Sequence, residues 1–303
     1  MQQQSTPSAR AGRYAFAALL VSNLLLAFGP WMVRLADDVG PVASGFWRVA
    51  LAAPFLILIA VRTEGGPRLA PSAALAGVIA LGGLFFAADL AAWHVGINMT
   101  KLANATLFGN FSSFLFVLYG FIVLRRLPQK VQTLALVLAG AGAALLLGSS
   151  YELSPKHFAG DLFAMLAGLF YTFYLIAIDR ARRTMAPMPV LAIATAAGTV
   201  PLLLFAMALG EQIVPQDWTP LILLSLGSQL FGQGLLVYAV GHLSPMVVGL
   251  GLLTQPAATA VIGWLAYGEK LGAADLLGAL LIAAALVLIR LPAPEPLRKP
   301  EPV

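Results

Sequence analysis

The sequence predicts an all-α membrane protein of ten transmembrane helices, arranged as two inverted five-helix repeats. Three observations carry that expectation. Of the 303 residues 60% are hydrophobic and only 10% are charged, against about a quarter charged in soluble domains. Solid apolar runs of about twenty residues recur along the chain, enough to cross the hydrocarbon of a bilayer. The two halves also resemble each other. A β-barrel would instead alternate apolar and polar residues in segments of about ten. The solvent for this surface is lipid.

Arg10 and Arg13 sit in a polar N-terminal stretch, and residues 1–13 are expected to form a cytoplasmic tail. The run from Tyr14 to Val33 exceeds a signal-peptide core and has no small-residue cleavage site in place, so it reads as a retained first span. Further spans are expected at 43–61, 73–96, 103–123, 131–149, 159–178, 189–209, 219–240, 245–266 and 274–290. The Pro-rich, charged stretch 292–303 reads as a disordered cytoplasmic tail.

Orientation follows from Lys and Arg. With ten spans both termini share a side, and that side collects thirteen of the 18 basic residues. Arg34, Arg48, Lys101, Lys156 and Lys270 fall on the other, with Arg34 and Arg48 taken as flanking the first loop. The basic side is cytoplasmic. The net charge of +5 is therefore topological, and nucleic-acid binding is not expected. The absence of cysteine excludes disulfides and thiolate metal sites.

The repeat is visible in several places. LRRLPQKVQTLALVLAGAGAALLL from Leu124 lies over GEKLGAADLLGALLIAAALVLIRL from Gly268. Val95-Gly96 lies over Val240-Gly241, Asn110 over Gln255, and Pro54 over Pro201. The halves are expected at 14–150 and 156–291. Five spans is an odd number, so the second copy is inverted, and such repeats place a transport site near the midplane where they meet. The shift from Arg125-Arg126 to Glu269-Lys270 at matching positions agrees with that inversion.

The stretch Gly82–Gly120, GGLFFAADLAAWHVGINMTKLANATLFGNFSSFLFVLYG, holds the most unusual polarity. Phe85, Phe86, Asp89 and Trp93 recur at helical spacing on one face. A carboxylate within a span is costly, and normally faces a bundle interior or watery cavity. Asp89 is thus a candidate for binding a proton or a substrate amine; the alternative is a structural carboxylate satisfied by a neighbour such as Lys101. His94 reads as interfacial, and Asp161 and Asp179 as solvated ends of span six.

In the second half Gln229 and Gln233 stand one turn apart, with Tyr238 beside their face. The candidate substrate-binding residues are Asn110, Gln233, Gln255, Asp89, Trp93 and Tyr238, with Asp89 nearer the outer face. Neutral amides suit a hydrogen-bonding zwitterion, but they serve equally as interhelical glue worth about 0.6 kcal/mol each. Pro54, Pro201 and Pro256 are candidate hinges, since proline frees a carbonyl and permits a kink; a static bend is the alternative. Spans five and ten, with AGAGAA at 139–144 and AAA at 283–285, read as scaffold or subunit contact. No HExxH, GxSxG or GxxxxGK[ST] motif occurs, so neither an enzyme nor ATP-driven transport is expected, and no cofactor.

The segment YGEKL at 267–271, Pro41 followed by SGFWR at Ser44–Arg48, and Pro256 within span nine together resemble the drug/metabolite transporter superfamily. The resemblance is to its ten-span EamA-type exporters, and within them to bacterial aromatic amino acid exporters. It departs at Arg125-Arg126, where many relatives carry Gly-Glu, and at Gly29-Pro30-Trp31, where many have Trp-Gly. The resemblance implies a secondary transporter of the bacterial inner membrane that exports amino acids, aromatic and others, by alternating access. Export of other small metabolites or drugs, or a passive channel of the same fold, are the other readings.

Overall fold

The structure is a computed structural model, and it describes residues 7–64, 71–100, 102–125, 127–148, 155–268 and 273–290. No strand occurs among the described residues. The first half comprises α1 (Pro7–Ala27), α2 (Gly29–Leu35), α3 (Pro41–Glu64), α4 (Ala73–Met99), α5 (Leu102–Gly109), α6 (Phe111–Leu124) and α7 (Lys130–Gly148). The second comprises α8 (Pro155–Arg182), α9 (Pro187–Ala208), α10 (Thr219–Leu223), a π-helix (Leu224–Gly232), α11 (Gln233–Val240), α12 (Pro245–Leu252), α13 (Thr254–Tyr267) and α14 (Ala273–Arg290). Local chemistry sets many of these limits. Ser72 and Ser244 cap α4 and α12 by accepting from Leu75 N and Val247 N, and proline at a first turn starts α9 and α12 without wasting a donor.

Among the described residues seven stretches are long and apolar enough to cross a membrane: Tyr14–Leu35, Pro41–Thr63, Ala73–Met99, Phe158–Arg182, Pro187–Ala208, Thr219–Val240 and Pro245–Tyr267. Phe111–Val123, Lys130–Gly142 and Leu276–Ala285 are shorter apolar helices where the sequence predicts spans four, five and ten. Span four falls short because the chain breaks at Asn110, between α5 and α6. At the N-terminus α1 already starts at Pro7, so helix extends into the predicted tail. Residues 292–303 lie outside the described ones.

The repeat is written into the backbone. Helices α5 and α6 map onto α12 and α13 with every bound shifted by 143, from 102 to 245 and from 124 to 267. Both pairs end on a left-handed residue, Arg125 at φ 48° and Gly268 at φ 65°, again 143 apart. This register corrects the sequence alignment of Asn110 with Gln255. The break at Asn110 corresponds to the break at Leu253, and Gln255 lies two residues beyond it.

Elements of one half pack on those of the other. Helix α3 packs on α9, α6 on α12 and α7 on α14, while α4 on α8 is matched by α1 on α11 and the π-helix. Small residues allow these approaches. At the α7–α14 crossing Ala135, Ala139, Ile282 and Ala285 are buried together.

A second tie joins the halves at one end of the bundle. The Glu211 carboxylate accepts from the backbone N–H groups of Val42 (3.3 Å) and Ala43 (2.8 Å) at the start of α3, where an anion also offsets the helix dipole. Gly40 N donates to Gln212 O, Trp47 Nε1 to Ile213 O (2.6 Å), and Asp217 N to Asp38 Oδ2 (3.0 Å). Asp217 in turn accepts from Thr219 N at 2.8 Å, which holds its carboxyl below the usual carboxylate range. The loop 209–218 is thereby latched onto the α2–α3 corner.

Candidate functional site

A small cavity of about 50 Å³ lies where the two halves meet, and it is the polar centre of the bundle. Helix α4 presents Phe86, Asp89 and Trp93 to it, at the i, i+3, i+7 spacing of one face. Helix α3 contributes Arg48, and the α5–α6 break contributes Asn110 beside Thr106, Gly109 and Ser112. From the second half come Tyr171 on α8, Gln233 on α11 and Gln255 on α13. The structure thus gathers Asp89, Trp93, Asn110, Gln233 and Gln255 around one space. It does not bring in Tyr238, which sits half-buried with its ring centroid 4.4 Å from that of His242. Asp89 lines the same space as Asn110 and Gln233.

The amides differ in how far they are already engaged. Asn110 Nδ2 donates to Thr106 O at 2.7 Å, and Asn110 Oδ1 accepts from Ser113 Oγ at 3.4 Å, so the break is bridged by side chains. Gln233 Nε2 donates to Tyr171 OH (3.1 Å) while its oxygen accepts from Tyr174 OH (3.4 Å). Gln255 is buried and makes no hydrogen bond among the described residues. Trp93 Nε1 donates to Ala105 O at 3.3 Å.

Arg48 is the residue that the sequence misplaced. It is 2% exposed, in the interior of the bundle, and does not flank a loop. As the eighth residue of α3 it lies about 10 Å in from Pro41. Its Nε donates to Gln229 Oε1 at 3.3 Å, and its guanidinium carbon stands 5.8 Å from the Phe86 ring centroid. Gln229 in turn donates to Thr195 Oγ1 at 3.0 Å. Gln229 belongs to the π-helix and Gln233 follows it directly; π turns often mark functional sites. Ser22 Oγ donates to Gly232 O (2.7 Å) at the end of that wider helix, and Asn23 Nδ2 to Gly251 O (2.6 Å) beside the α12–α13 break. These α1 side chains satisfy carbonyls where the regular ladder is disturbed.

Three further expectations are corrected. His94 is fully buried, with Nδ1 2.7 Å from Ser44 Oγ and 3.1 Å from Pro41 O, because α4 continues to Met99 and keeps it inside. Asp161 is buried and accepts from Thr100 Oγ1 at 2.8 Å. Asp179 is buried and accepts from Tyr119 OH and Arg183, both at 2.9 Å. Each has a hydrogen-bond partner on another helix or turn. Lys101, the predicted neighbour of Asp89, lies outside the described residues. Pro54 is exposed and Pro201 half-buried, within helices that continue through them, and Pro256 is buried in the first turn of α13. No group of three or more potential metal ligands occurs among the described residues.

A helical membrane bundle of two similar halves around one polar cavity has the build of a solute carrier. The EamA-like transporter family model matches residues 13–148 and 158–291, one copy for each half, and the chain belongs to that family, within the drug/metabolite transporter superfamily. One solved crystal structure superposes with a TM-score of 0.71 at 18% sequence identity, over 92% of this chain and 97% of that one, which shows the shared fold. No curated protein matches the chain.

Proposed function

We propose that this transporter-family protein is a secondary carrier that exports amino acids, aromatic ones among them, across the bacterial inner membrane by alternating access. Ten spans in two inverted repeats, 14–150 and 156–291, surround the central cavity. The observation that carries the reading is the composition of that cavity: Arg48, Asp89 and Asn110 come from one half, and Tyr171, Gln233 and Gln255 from the other. A solute held there touches both halves, so rocking one against the other changes the side from which it is reached. Aromatic walls at Phe86, Trp93 and Tyr171 suit an apolar or aromatic side chain.

Counterflow in proteoliposomes tests the carrier. Unlabelled amino acid trapped inside is expected to speed uptake of labelled amino acid, because only a carrier shows trans-stimulation. Flux without it identifies a channel; trans-stimulation by other metabolites or drugs alone replaces the amino acid.

With Arg48 inside the bundle, four basic residues are left for the outer side against thirteen for the inner. Both termini are therefore cytoplasmic in this reading. A C-terminal reporter active only outside the cytoplasm is expected to stay silent. The matched prolines act as hinges: Pro54→Ala or Pro201→Ala is expected to slow transport severalfold while substrate affinity stays within about twofold. Unchanged rates at normal accumulation would make the kinks static.

A further inference from the structure

We propose that Arg48 and Asp89 together select for zwitterions, Arg48 receiving the solute carboxylate and Asp89 its ammonium. The proposal rests on the transport reading of the same cavity and gives it a chemical filter.

The two side chains carry opposite charge, come from adjacent helices α3 and α4, and line one cavity at 2% and 7% exposure. The Asp89 carboxylate makes no hydrogen bond or ion pair among the described residues. Among the described residues Arg48 makes one hydrogen bond, through Nε to Gln229. That bond fixes the side chain and leaves the terminal nitrogens of the guanidinium free for a ligand. Burying opposite charges without direct contact is unfavourable, and here a carboxylate and a guanidinium share one cavity within electrostatic reach of each other but with no ion pair between them among the described residues.

A solute with both charges resolves this arrangement, and one with a single charge resolves half of it. The guanidinium offers parallel N–H donors that fit a carboxylate in two-point geometry. An ammonium has three donors and no acceptor, so it calls for oxygens. Asp89 supplies these, and the Gln255 amide, also without a partner, lines the same space. A carboxylic acid lacking the amine leaves Asp89 unmatched. An amine lacking the carboxylate leaves the terminal nitrogens of Arg48 without an acceptor. The cavity thus disfavours both by the same physics: each leaves one of the two buried groups without a direct contact.

The test compares three probes that share one ring: phenylalanine, phenethylamine and 3-phenylpropionate. Binding is measured calorimetrically on the purified full-length protein. Wild type is expected to bind phenylalanine about tenfold or more tighter than either analogue, the scale of one lost charge-assisted bond. In Asp89→Asn the advantage over 3-phenylpropionate is expected to vanish while that over phenethylamine survives; in Arg48→Gln the pattern reverses. If either variant fails to fold, the wild-type comparison still decides. Equal binding of phenylalanine and one analogue by wild type overturns the proposal, as does an Asp89→Asn protein that keeps the full wild-type preference. Trans-stimulation by non-zwitterionic solutes alone overturns the filter and leaves the carrier. A tenfold zwitterion preference without trans-stimulation by any solute supports the filter and removes the carrier.

Discussion

Gly83→Leu is expected to keep the protein from accumulating in folded form. Helix α4 crosses α9 at this point, and a Cβ on Gly83 would fall inside the contact distance of the Ala194 carbonyl oxygen, with Ala197 Cβ at 2.9 Å. From the other side a Cβ on Gly198 would lie 2.9 Å from Gly83 O. The obstacle is backbone, so no side chain can swing aside. Overpacking in a tight core costs about 1–3 kcal/mol, and occasionally more where nothing can yield. A marginally stable protein has only about 5–15 kcal/mol in hand. Gly77→Leu on the same helix is the control, because nothing lies within 4 Å of its Cβ position; it is expected to change stability by less than about 0.5 kcal/mol. Detergent gel filtration and melting curves compare the two. If the Gly83→Leu protein accumulates and melts like wild type, the close crossing of α4 and α9 is wrong.

Gln229→Leu is expected to lower stability by about 1.5–3 kcal/mol, the range for a hydrogen bond to a charged group. Leucine fills much of the same space and removes the oxygen that accepts from Arg48 Nε and the amide that donates to Thr195 Oγ1. The guanidinium then stays buried with no acceptor. Gln229→Glu is expected to keep the stability or raise it, because a carboxylate at that position accepts the same bond and adds an attractive charge. Melting temperatures of the two variants in one detergent decide the matter. If leucine and glutamate lower the melting temperature equally, Gln229 contributes by shape and not by its oxygen.

The class of fold was legible because it rests on composition and run length, which need no knowledge of contacts. The faces of α4 were legible too: helical spacing places Asp89 and Trp93 on one side wherever the helix is put. Depth was harder to read. Arg48 follows Pro41 by seven residues and carries a charge, so it reads as a loop neighbour; only the start of α3 at Pro41 puts it two turns inside. His94 was lost in the same way, by an end placed three residues early at Gly96 when α4 reaches Met99.

Partners across the bundle leave no local mark in the sequence. Nothing near Asp179 announces Tyr119, and nothing near Asn23 announces Gly251, 228 residues away. The π-helix was also invisible, since its residues are ordinary helix formers and its wider turn comes from packing. The repeat was seen, but its register was off by two, because residue likeness aligned Asn110 with Gln255. The backbone breaks align Asn110 with Leu253.

The latch between the loop 209–218 and the start of α3 also bears on how firmly the two halves are joined. A chain without cysteine has no covalent seam available, and here the join is made from Glu211, Gln212, Ile213 and Asp38 hydrogen bonds. Such bonds contribute about 0.5–1.5 kcal/mol each, and each can exchange with water one at a time. A disulfide across the same corner would fasten it for minutes to hours. The polar seam works as a zip and not as a rivet: strong as a set, it parts link by link within the reach of thermal motion.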